Sequence, residues 1–158
     1  MPIERNELRR VMGHFVTGVT IITTISKDGT PFGLTANAFT SVSLDPPLLL
    51  ISVDKKAESY SYFEESKVFT VNILGQEQEG LSRRFAVSGG DKFQGVAYRM
   101  GANGAPIIEG TLAFLECRLY AVYAGGDHTL FLGEIEEAET REVKPLIFYR
   151  GGYRTLEG

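Results

Sequence analysis

The chain has very few of the side chains that bind soft metals or form cross-links. Its 158 residues include one cysteine, Cys117, and two histidines, His14 and His128. One cysteine cannot form a disulfide within the chain, and this argues weakly for a reducing compartment. A zinc site rich in Cys or His is effectively excluded because such sites need several of these ligands. We therefore expect no metal.

Positive charge is also scarce. Sixteen Lys and Arg residues against twenty Asp and Glu residues give a net charge of −4. Non-specific nucleic-acid binding depends on neutralising phosphates with Lys and Arg. We therefore expect no nucleic-acid partner.

Long apolar runs are missing too. No stretch approaches the ~18 residues that a membrane-spanning helix needs. Residues 16–25 follow three arginines and superficially resemble a signal peptide, but threonines interrupt them and Lys27-Asp28-Gly29 follows instead of a small-residue cleavage site. The run predicts a strand, and we expect a cytoplasmic protein without a membrane partner.

Several common functional motifs are absent. The sequence has no G-x-G-x-x-G after a strand, no P-loop, no G-x-S-x-G and no H-E-x-x-H. A Ser-His-Asp triad would have one plausible base, His128, but no marked nucleophile. If the protein handles a nucleotide, it does so without a Rossmann domain.

What the sequence does contain is mostly period-two alternation of apolar and polar residues. Its length suits a single domain over residues 1–158. We predict strands near 19–25, 30–37, 48–53, 68–74, 112–123, 128–140 and 145–149, and short helices at 4–15, 56–66 and 78–86. Residues 88–111 are Gly-rich and predict little regular structure. Six or seven strands without βαβ alternation favour an antiparallel barrel with helical caps.

The run at residues 48–53 is continuously apolar. Such a run is typical of a strand buried on both faces. In an antiparallel barrel its outer face would need a helix or a partner subunit over it.

Small hydrogen-bonding residues crowd one segment, residues 33–47. They are Thr35, Asn37, Thr40, Ser41 and Ser43, set beside Ala36 and Ala38. One interpretation is an edge strand with solvated hydroxyls. The other is a surface on which a flat ligand approaches the backbone, whose alternating donors and acceptors match a uracil-like edge such as the pyrimidine end of an isoalloxazine ring.

Two further segments are candidate phosphate contacts. Ser52, Lys55 and Ser59 surround a predicted helix start, where free N–H groups attract anions, although an ordinary helix start with solvated lysines has the same pattern. Residues 82–86 add a pair of arginines, which either contact phosphate or are simply solvated.

A histidine in a turn and the C-terminal segment complete the candidates. Asp127 and His128 follow two glycines between strong strand patterns, where a turn requires Gly or Asp but not His. His128 is either a solvated turn residue or projects over a ligand with Asp127 orienting its ring. Tyr153 and Arg154 could stack on or pair with a nucleotide, or belong to a frayed tail.

Together these segments resemble the flavin reductase-like family with the FMN-binding split barrel, most of all the small reductase components of two-component aromatic monooxygenases. The resemblance rests on the order and spacing of residues 15–20, 33–47, 82–86, 126–129 with 132–134, and 149–153. It spans almost the whole chain.

The resemblance implies a six-stranded antiparallel Greek-key barrel, a homodimer, and FMN or FAD bound near the dimer interface. Hydride would pass from NADH or NADPH to the flavin, and reduced flavin would be supplied to a monooxygenase. Which flavin and which nicotinamide nucleotide are used stays open.

The family's sites also carry over to residues of this chain. The flavin ring and ribityl chain would contact Thr35, Ala36, Asn37, Ser41, Val42 and Ser43. The ribityl-phosphate end would lie near Ser52, Val53, Asp54, Lys55, Ser59, Arg84, Phe85 and Ala86. The nicotinamide nucleotide would lie near His128, Tyr153 and Arg154.

Three other functions remain open from the sequence. A flavin-binding electron carrier would lack its own nicotinamide site. A split-barrel oxidase acting on a pyridoxine-type phosphate would be expected to have more basic residues at its substrate site. A plain interaction barrel would bind no flavin at all.

Overall fold

The computed structural model describes residues 2–157. Within them the chain forms a mainly β structure with antiparallel sheets and few helices. The helices are α1 (Arg5–Met12), α2 (Tyr60–Ser66), a 3₁₀ turn (Gln76–Gln78) and α3 (Glu79–Phe85). The strands are β1 (Thr17–Gly18), β2 (Thr20–Ile25), β3 (Pro31–Ala36), β4 (Phe39–Leu44), β5 (Pro47–Asp54), β6 (Val68–Ile73), β7 (Tyr98–Met100), β8 (Pro106–Ile108), β9 (Ala113–Gly125), β10 (His128–Thr140), β11 (Leu146–Tyr149) and β12 (Gly152–Thr155). None of the helices among these residues is both long and apolar enough to cross a membrane.

The main sheet has seven strands in the order β3-β2-β6-β9-β10-β5-β4. The alternation predicted six or seven strands, and the family resemblance implied six. A tight turn at Asp45 and Pro46 brings β4 back against β5 as an edge strand, so that Leu44 pairs with Pro47. Strands β1, β11 and β12 form a separate three-stranded sheet.

The two edges of the main sheet are neighbours in the chain. β3 ends at Ala36 and β4 begins at Phe39, so only Asn37 and Ala38 separate the edges. The sheet must therefore curl until the end of β3 meets the start of β4, as in a barrel. The carbonyl of Ala38 accepts a hydrogen bond from the N–H of Ser52 at 3.1 Å, which ties this junction to β5.

Apolar side chains fill the inside of the curled sheet. The main cluster comprises Ile22, Leu49, Ile51, Val53, Phe63, Phe69, Val71, Cys117 and Phe131. Phe63 comes from α2 and stacks on Phe131 with ring centroids 5.4 Å apart, so α2 covers this core. Burial raises the pKa of the Cys117 thiol to about 12, which makes it an inert core residue.

A second apolar cluster lies on the other side of β2. It comprises Val19, Ile21, Leu74, Phe85, Phe93, Ile108 and Leu146. Ile21 and Ile22 therefore belong to different cores, and β2 is buried on both faces. The strand at residues 48–53 is less completely covered than predicted, because Leu49, Ile51 and Val53 are in the core while Leu50 and Ser52 are only half-buried.

Residues 88–111 contain more structure than predicted. β7 and β8 pair as a small antiparallel sheet, and all three residues of β8 are buried. The hydroxyl of Thr23 donates to the carbonyl of Pro106 at 2.6 Å, and the amide oxygen of Asn72 accepts from the N–H of Ile108 at 2.9 Å. Buried polar side chains of β2 and β6 thus hold β8, and the local pattern of residues 88–111 does not show these distant partners.

We predict that Gly133→Ala destabilises the protein. A Cβ at Gly133 would lie 2.5 Å from Cζ of Phe69 and 2.8 Å from Cβ of Cys117, both fully buried. The core must shift to admit it, so the free energy of unfolding in urea should fall by about 1–3 kcal/mol. Gly80→Ala is the control, since a Cβ there meets nothing within 4 Å; its stability should be unchanged or higher. Equal stability of Gly133→Ala and wild type would contradict this packing.

Candidate functional site

A large apolar cleft lies beside the junction between β3 and β4. We call it the junction cleft; its volume is about 650 Å³. It is lined by Arg9, Met12, Gly13, Phe15, Thr17, Asn37, Ala38, Phe39, Thr40, Leu50, Phe148 and Gly151. Ala38 has a small side chain and Leu50 is only half-buried, so both leave apolar surface accessible in the cleft. Such a surface suits a flat, largely apolar ligand.

Strand β4 contributes backbone groups at this cleft. It is an edge strand that pairs only with β5 among residues 2–157. A register shift between Ser41 and Ser43 leaves Val42 outside the ladder, and its side chain is exposed. Asn37 is also exposed, and its side-chain N–H donates to the Thr17 hydroxyl at 3.3 Å. Unpaired backbone groups and an amide at an apolar cleft fit the hydrogen-bonding edge of a flavin ring.

A second, more polar cleft lies between β3, the end of β5, the segment that precedes α2 and the end of α3. We call it the polar cleft; its volume is about 380 Å³. It is lined by Leu34, Thr35, Asp54, Lys56, Ala57, Glu58, Ser59, Phe85, Ala86, Val87, Ser88 and Lys92. The cleft thus contains four of the residues predicted for the ribityl-phosphate end of a flavin, Asp54, Ser59, Phe85 and Ala86. It also contains Thr35, which was predicted for the ring and ribityl chain.

Two lysines that were not predicted from the sequence, Lys56 and Lys92, line the polar cleft, and Lys92 is the partly buried one. Its ammonium group donates to the carbonyls of Gly33 and Phe85 at 3.4 and 3.5 Å. Partial burial lowers the pKa of Lys92, and the nearby carboxylate of Glu58 opposes that shift. Lys92 lies in the segment predicted to be irregular, where only the long-range fold shows that it turns back onto β3.

Arg84 and the start of α2 are placed differently from the phosphate seat that the sequence predicted. The Arg84 guanidinium donates to the carbonyls of Asp91 and Gln94 at 3.3 and 2.5 Å, so it holds the loop that follows α3. α2 begins at Tyr60 rather than at residue 56 and is seven residues long, with Ser59 at its N-cap making no side-chain capping bond. Side chains, rather than a helix terminus, therefore supply the polar contacts here.

The other predicted flavin residues fall into three groups. Ser41, Val42 and Ser43 lie on β4, and Ala36 ends β3, where its carbonyl accepts from the Thr20 hydroxyl at 2.6 Å. Ser52 is half-buried on β5, whereas the Val53 side chain is fully buried in the core and leaves only its backbone available. Lys55 is exposed, and its N–H donates to the carbonyl of Asp127 at 3.0 Å.

His128 starts β10 directly opposite Asp54, which lines the polar cleft. Its Nδ1 lies 2.7 Å from a carboxylate oxygen of Asp127, and this hydrogen bond lowers the pKa of Asp127. Because an ionised carboxylate only accepts, Nδ1 donates the proton in this hydrogen bond, and Nε2 is the ring nitrogen that accepts when the imidazole is neutral. The imidazole is 39% exposed, so Nε2 is accessible to a ligand.

Tyr153 and Arg154 lie on β12, on the α3 side of the molecule. The Tyr153 hydroxyl is 2.6 Å from the hydroxyl of buried Ser82, and the carbonyl of Ser82 accepts from the Thr35 hydroxyl at 2.6 Å. Tyr153 therefore ties the C-terminal sheet to α3 and β3. Arg154 is exposed.

No group of three or more His, Cys, Asp or Glu side chains among residues 2–157 is placed to hold a metal ion. Both clefts present backbone groups, hydroxyls, amides and charged side chains.

Comparison with known proteins gives a consistent result. A family model described as "Flavin reductase like domain" matches residues 12–157. The reductase subunit HsaB of a flavin-dependent monooxygenase from Rhodococcus jostii is 42% identical over 156 residues, which is 98% of this chain and 80% of that protein.

A solved structure agrees with the sequence matches. The NADH:FAD oxidoreductase SgcE6 of Streptomyces globisporus is 42% identical, covers all of this chain and 96% of its own, and superimposes with a TM-score of 0.94. A second structure of that protein, in complex with NAD and FAD fragments, gives a TM-score of 0.93 at 42% identity, covering 98% of this chain and 93% of its own. The family resemblance predicted from the sequence is confirmed: the chain belongs to the flavin reductase-like family.

Proposed function

We propose that this chain is an NAD(P)H-dependent flavin reductase, in which residues 1–158 act as one domain that holds FMN or FAD across the two clefts. This proposal rests on the distance between the two clefts along strand β5. Leu50 lines the junction cleft and Asp54 lines the polar cleft. Four residues of strand span about 13 Å, which suits a ligand whose ring and phosphate are separated by a ribityl chain.

The residues of each cleft suit one end of a flavin. At the junction cleft, the Asn37 amide and the outer N–H groups of β4 would hold the polar edge of the ring, with Ala36, Ser41, Val42 and Ser43 beside it. At the polar cleft, Ser59 and Lys92 would hold the phosphate, because an ammonium group and a hydroxyl make charge-assisted hydrogen bonds to it. Thr35, which lines the polar cleft, and Ser52 would contact the ribityl chain.

The nicotinamide nucleotide would lie near His128, with Tyr153 and Arg154 as further contacts. Nε2 of His128 is an accessible acceptor, held in orientation by Asp127. An acceptor of this kind suits the amide N–H of a nicotinamide or a sugar hydroxyl.

The bound nucleotides supply the reaction itself, which is hydride transfer from nicotinamide to flavin. The chain's task is to bind, orient and exclude water. Apolar Phe39 and Leu50 line the junction cleft and displace water from it. The Asn37 amide and the β4 backbone donors would stabilise negative charge at the edge of a flavin ring bound there. No side chain has to act as an acid or base, in keeping with the small number of histidines.

A second copy of the chain would complete the site as a homodimer. α1 has no buried residue, and its apolar face is exposed, with Met12 at 64% and the following Phe15 at 76%. Both side chains line the junction cleft. An apolar face of this size at a binding cleft is typical of a surface that another subunit covers. We further propose that the protein is cytoplasmic and that reduced flavin passes to a monooxygenase component.

The first prediction for this function concerns the complete reaction. Purified protein mixed with NADH or NADPH and FMN or FAD under anaerobic conditions should lose both the nicotinamide and the oxidised-flavin absorbance bands. Flavin binding without nicotinamide oxidation would instead identify an electron carrier or a split-barrel oxidase. Absence of flavin binding would support a plain interaction barrel, and either result would contradict the proposal.

His128→Ala should weaken binding of the nicotinamide nucleotide but not binding of the flavin. Loss of one oriented hydrogen bond, worth about 0.5–1.5 kcal/mol, should raise the KM for NADH about three- to tenfold. Flavin affinity, measured by fluorescence titration, should stay unchanged. His14→Ala is the matched control because the His14 ring bonds only to the carbonyl of Arg10 within the described hydrogen bonds. Unchanged kinetics in His128→Ala would remove this residue from the site.

Lys92→Met should weaken the binding of FMN but not the binding of riboflavin. A hydrogen bond to a charged group contributes about 1.5–3 kcal/mol, so the dissociation constant for FMN should rise about ten- to hundredfold. Riboflavin lacks the phosphate and reports any general damage to the fold. Lys55→Met is the control, since Lys55 is exposed and lines neither cleft. A larger effect of Lys55→Met would place the phosphate where the sequence pattern first suggested it.

A further inference from the structure

Asn37, whose amide lies at the junction cleft, directly follows an edge strand of the main sheet. That strand is β3, which ends at Ala36 and pairs only with β2 among residues 2–157. Hydrogen bonds between strands therefore fix β3 along one edge only. Contacts made by the side chains on its faces accordingly do more to set where β3 ends and where the Asn37 amide lies.

Ser82 of α3 holds one face of β3 near this end. Its carbonyl accepts a hydrogen bond from the Thr35 hydroxyl at 2.6 Å. Ser82 is fully buried, and its own hydroxyl lies 2.6 Å from the hydroxyl of Tyr153 on β12. Burial strengthens such hydrogen bonds because few water molecules compete for them. Tyr153, Ser82 and Thr35 thus form a continuous chain of contacts from the C-terminal sheet to β3.

The Tyr153 ring is itself held by its neighbours. The guanidinium carbon of Arg83 lies 4.8 Å from the centre of the ring, and Phe148 packs edge-on against it with ring centroids 5.5 Å apart. Phe148 lines the junction cleft and pairs with Thr17 of β1, whose hydroxyl accepts the hydrogen bond from the Asn37 amide at 3.3 Å. The sheet formed by β1, β11 and β12 therefore also reaches Asn37 directly.

We propose that the Tyr153 hydroxyl is a positioning group for the flavin site. By its hydrogen bond to Ser82 it holds the end of β3, and so keeps the Asn37 amide in place for the edge of the flavin ring. This inference rests on the proposed flavin reductase function and adds to it a group that does not touch the flavin. The hydroxyl acts on flavin binding, whereas the Tyr153 ring can still contact the nicotinamide nucleotide.

The first test is the dissociation constant for FMN, measured by fluorescence titration of the full chain. Tyr153→Phe removes only the hydroxyl and should raise this constant about three- to tenfold, as expected for one ordinary hydrogen bond. The KM for NADH should stay unchanged because the ring remains. Tyr149→Phe on neighbouring β11 is the matched control, since the Tyr149 hydroxyl takes part in none of the hydrogen bonds among residues 2–157; its affinity for FMN should equal that of wild type.

Double variants separate positioning from a general loss of stability. Asn37→Leu removes the group that the hydroxyl positions, so adding Tyr153→Phe to it should weaken FMN binding no further. Added to Ser59→Ala, at the phosphate end of the proposed site, Tyr153→Phe should keep its full effect. Ser82→Ala removes the same hydrogen bond from its other end and should match Tyr153→Phe.

Four results would each overturn the inference. They are wild-type affinity for FMN in Tyr153→Phe, an equal loss in Tyr149→Phe, a full further loss when Tyr153→Phe is added to Asn37→Leu, and a raised KM for NADH with unchanged affinity for FMN. The last would make the hydroxyl a contact of the nicotinamide nucleotide. The proposed function would fail in a different way, with no flavin bound by the wild-type protein or no nicotinamide oxidised.

Discussion

The constraint on which the structure depends is that the two edges of the main sheet are consecutive strands. Only Asn37 and Ala38 lie between β3 and β4, so a seven-stranded sheet has to curl back on itself to make this connection. The curl encloses the phenylalanine-rich core and leaves one place where the sheet is not closed by a ladder. That place is the junction cleft, where backbone groups stay unpaired beside an apolar floor. The site is thus a consequence of how the sheet closes.

A site of this kind can work with few reactive side chains, and the chain has few. Its two histidines and one cysteine include a buried thiol with a raised pKa and a His14 ring bonded to its own segment. A reaction between two bound nucleotides needs position and exclusion of water more than acids or bases. We propose that unpaired strand groups, hydroxyls and Lys92 supply that position. The exposed apolar face of α1 supports the proposal that a second copy completes the enclosure.

The sequence predicted the β-rich antiparallel architecture, the approximate strands and the family, because alternation and motif spacing are local signals. It also identified Thr35, Ser59 and Ala86, which the fold brings to one cleft. It missed Lys92 and β8, since both are positioned by partners distant in the chain: Gly33 and Phe85 for Lys92, Thr23 and Asn72 for β8. It included Val53 among the flavin contacts, although alternation on β5 turns that side chain into the core. The sequence also predicted Arg84 as a phosphate contact. In the folded chain its guanidinium donates instead to the carbonyls of Asp91 and Gln94 in the loop after α3.

The central claim is that one flavin spans both clefts along β5, with its ring at the junction between β3 and β4. A crystal structure of the chain with FMN tests this most directly. We expect the isoalloxazine ring beside Asn37 and the outer edge of β4, and the phosphate between Ser59 and Lys92. Density for FMN away from β4, or with its phosphate outside the polar cleft, would contradict it.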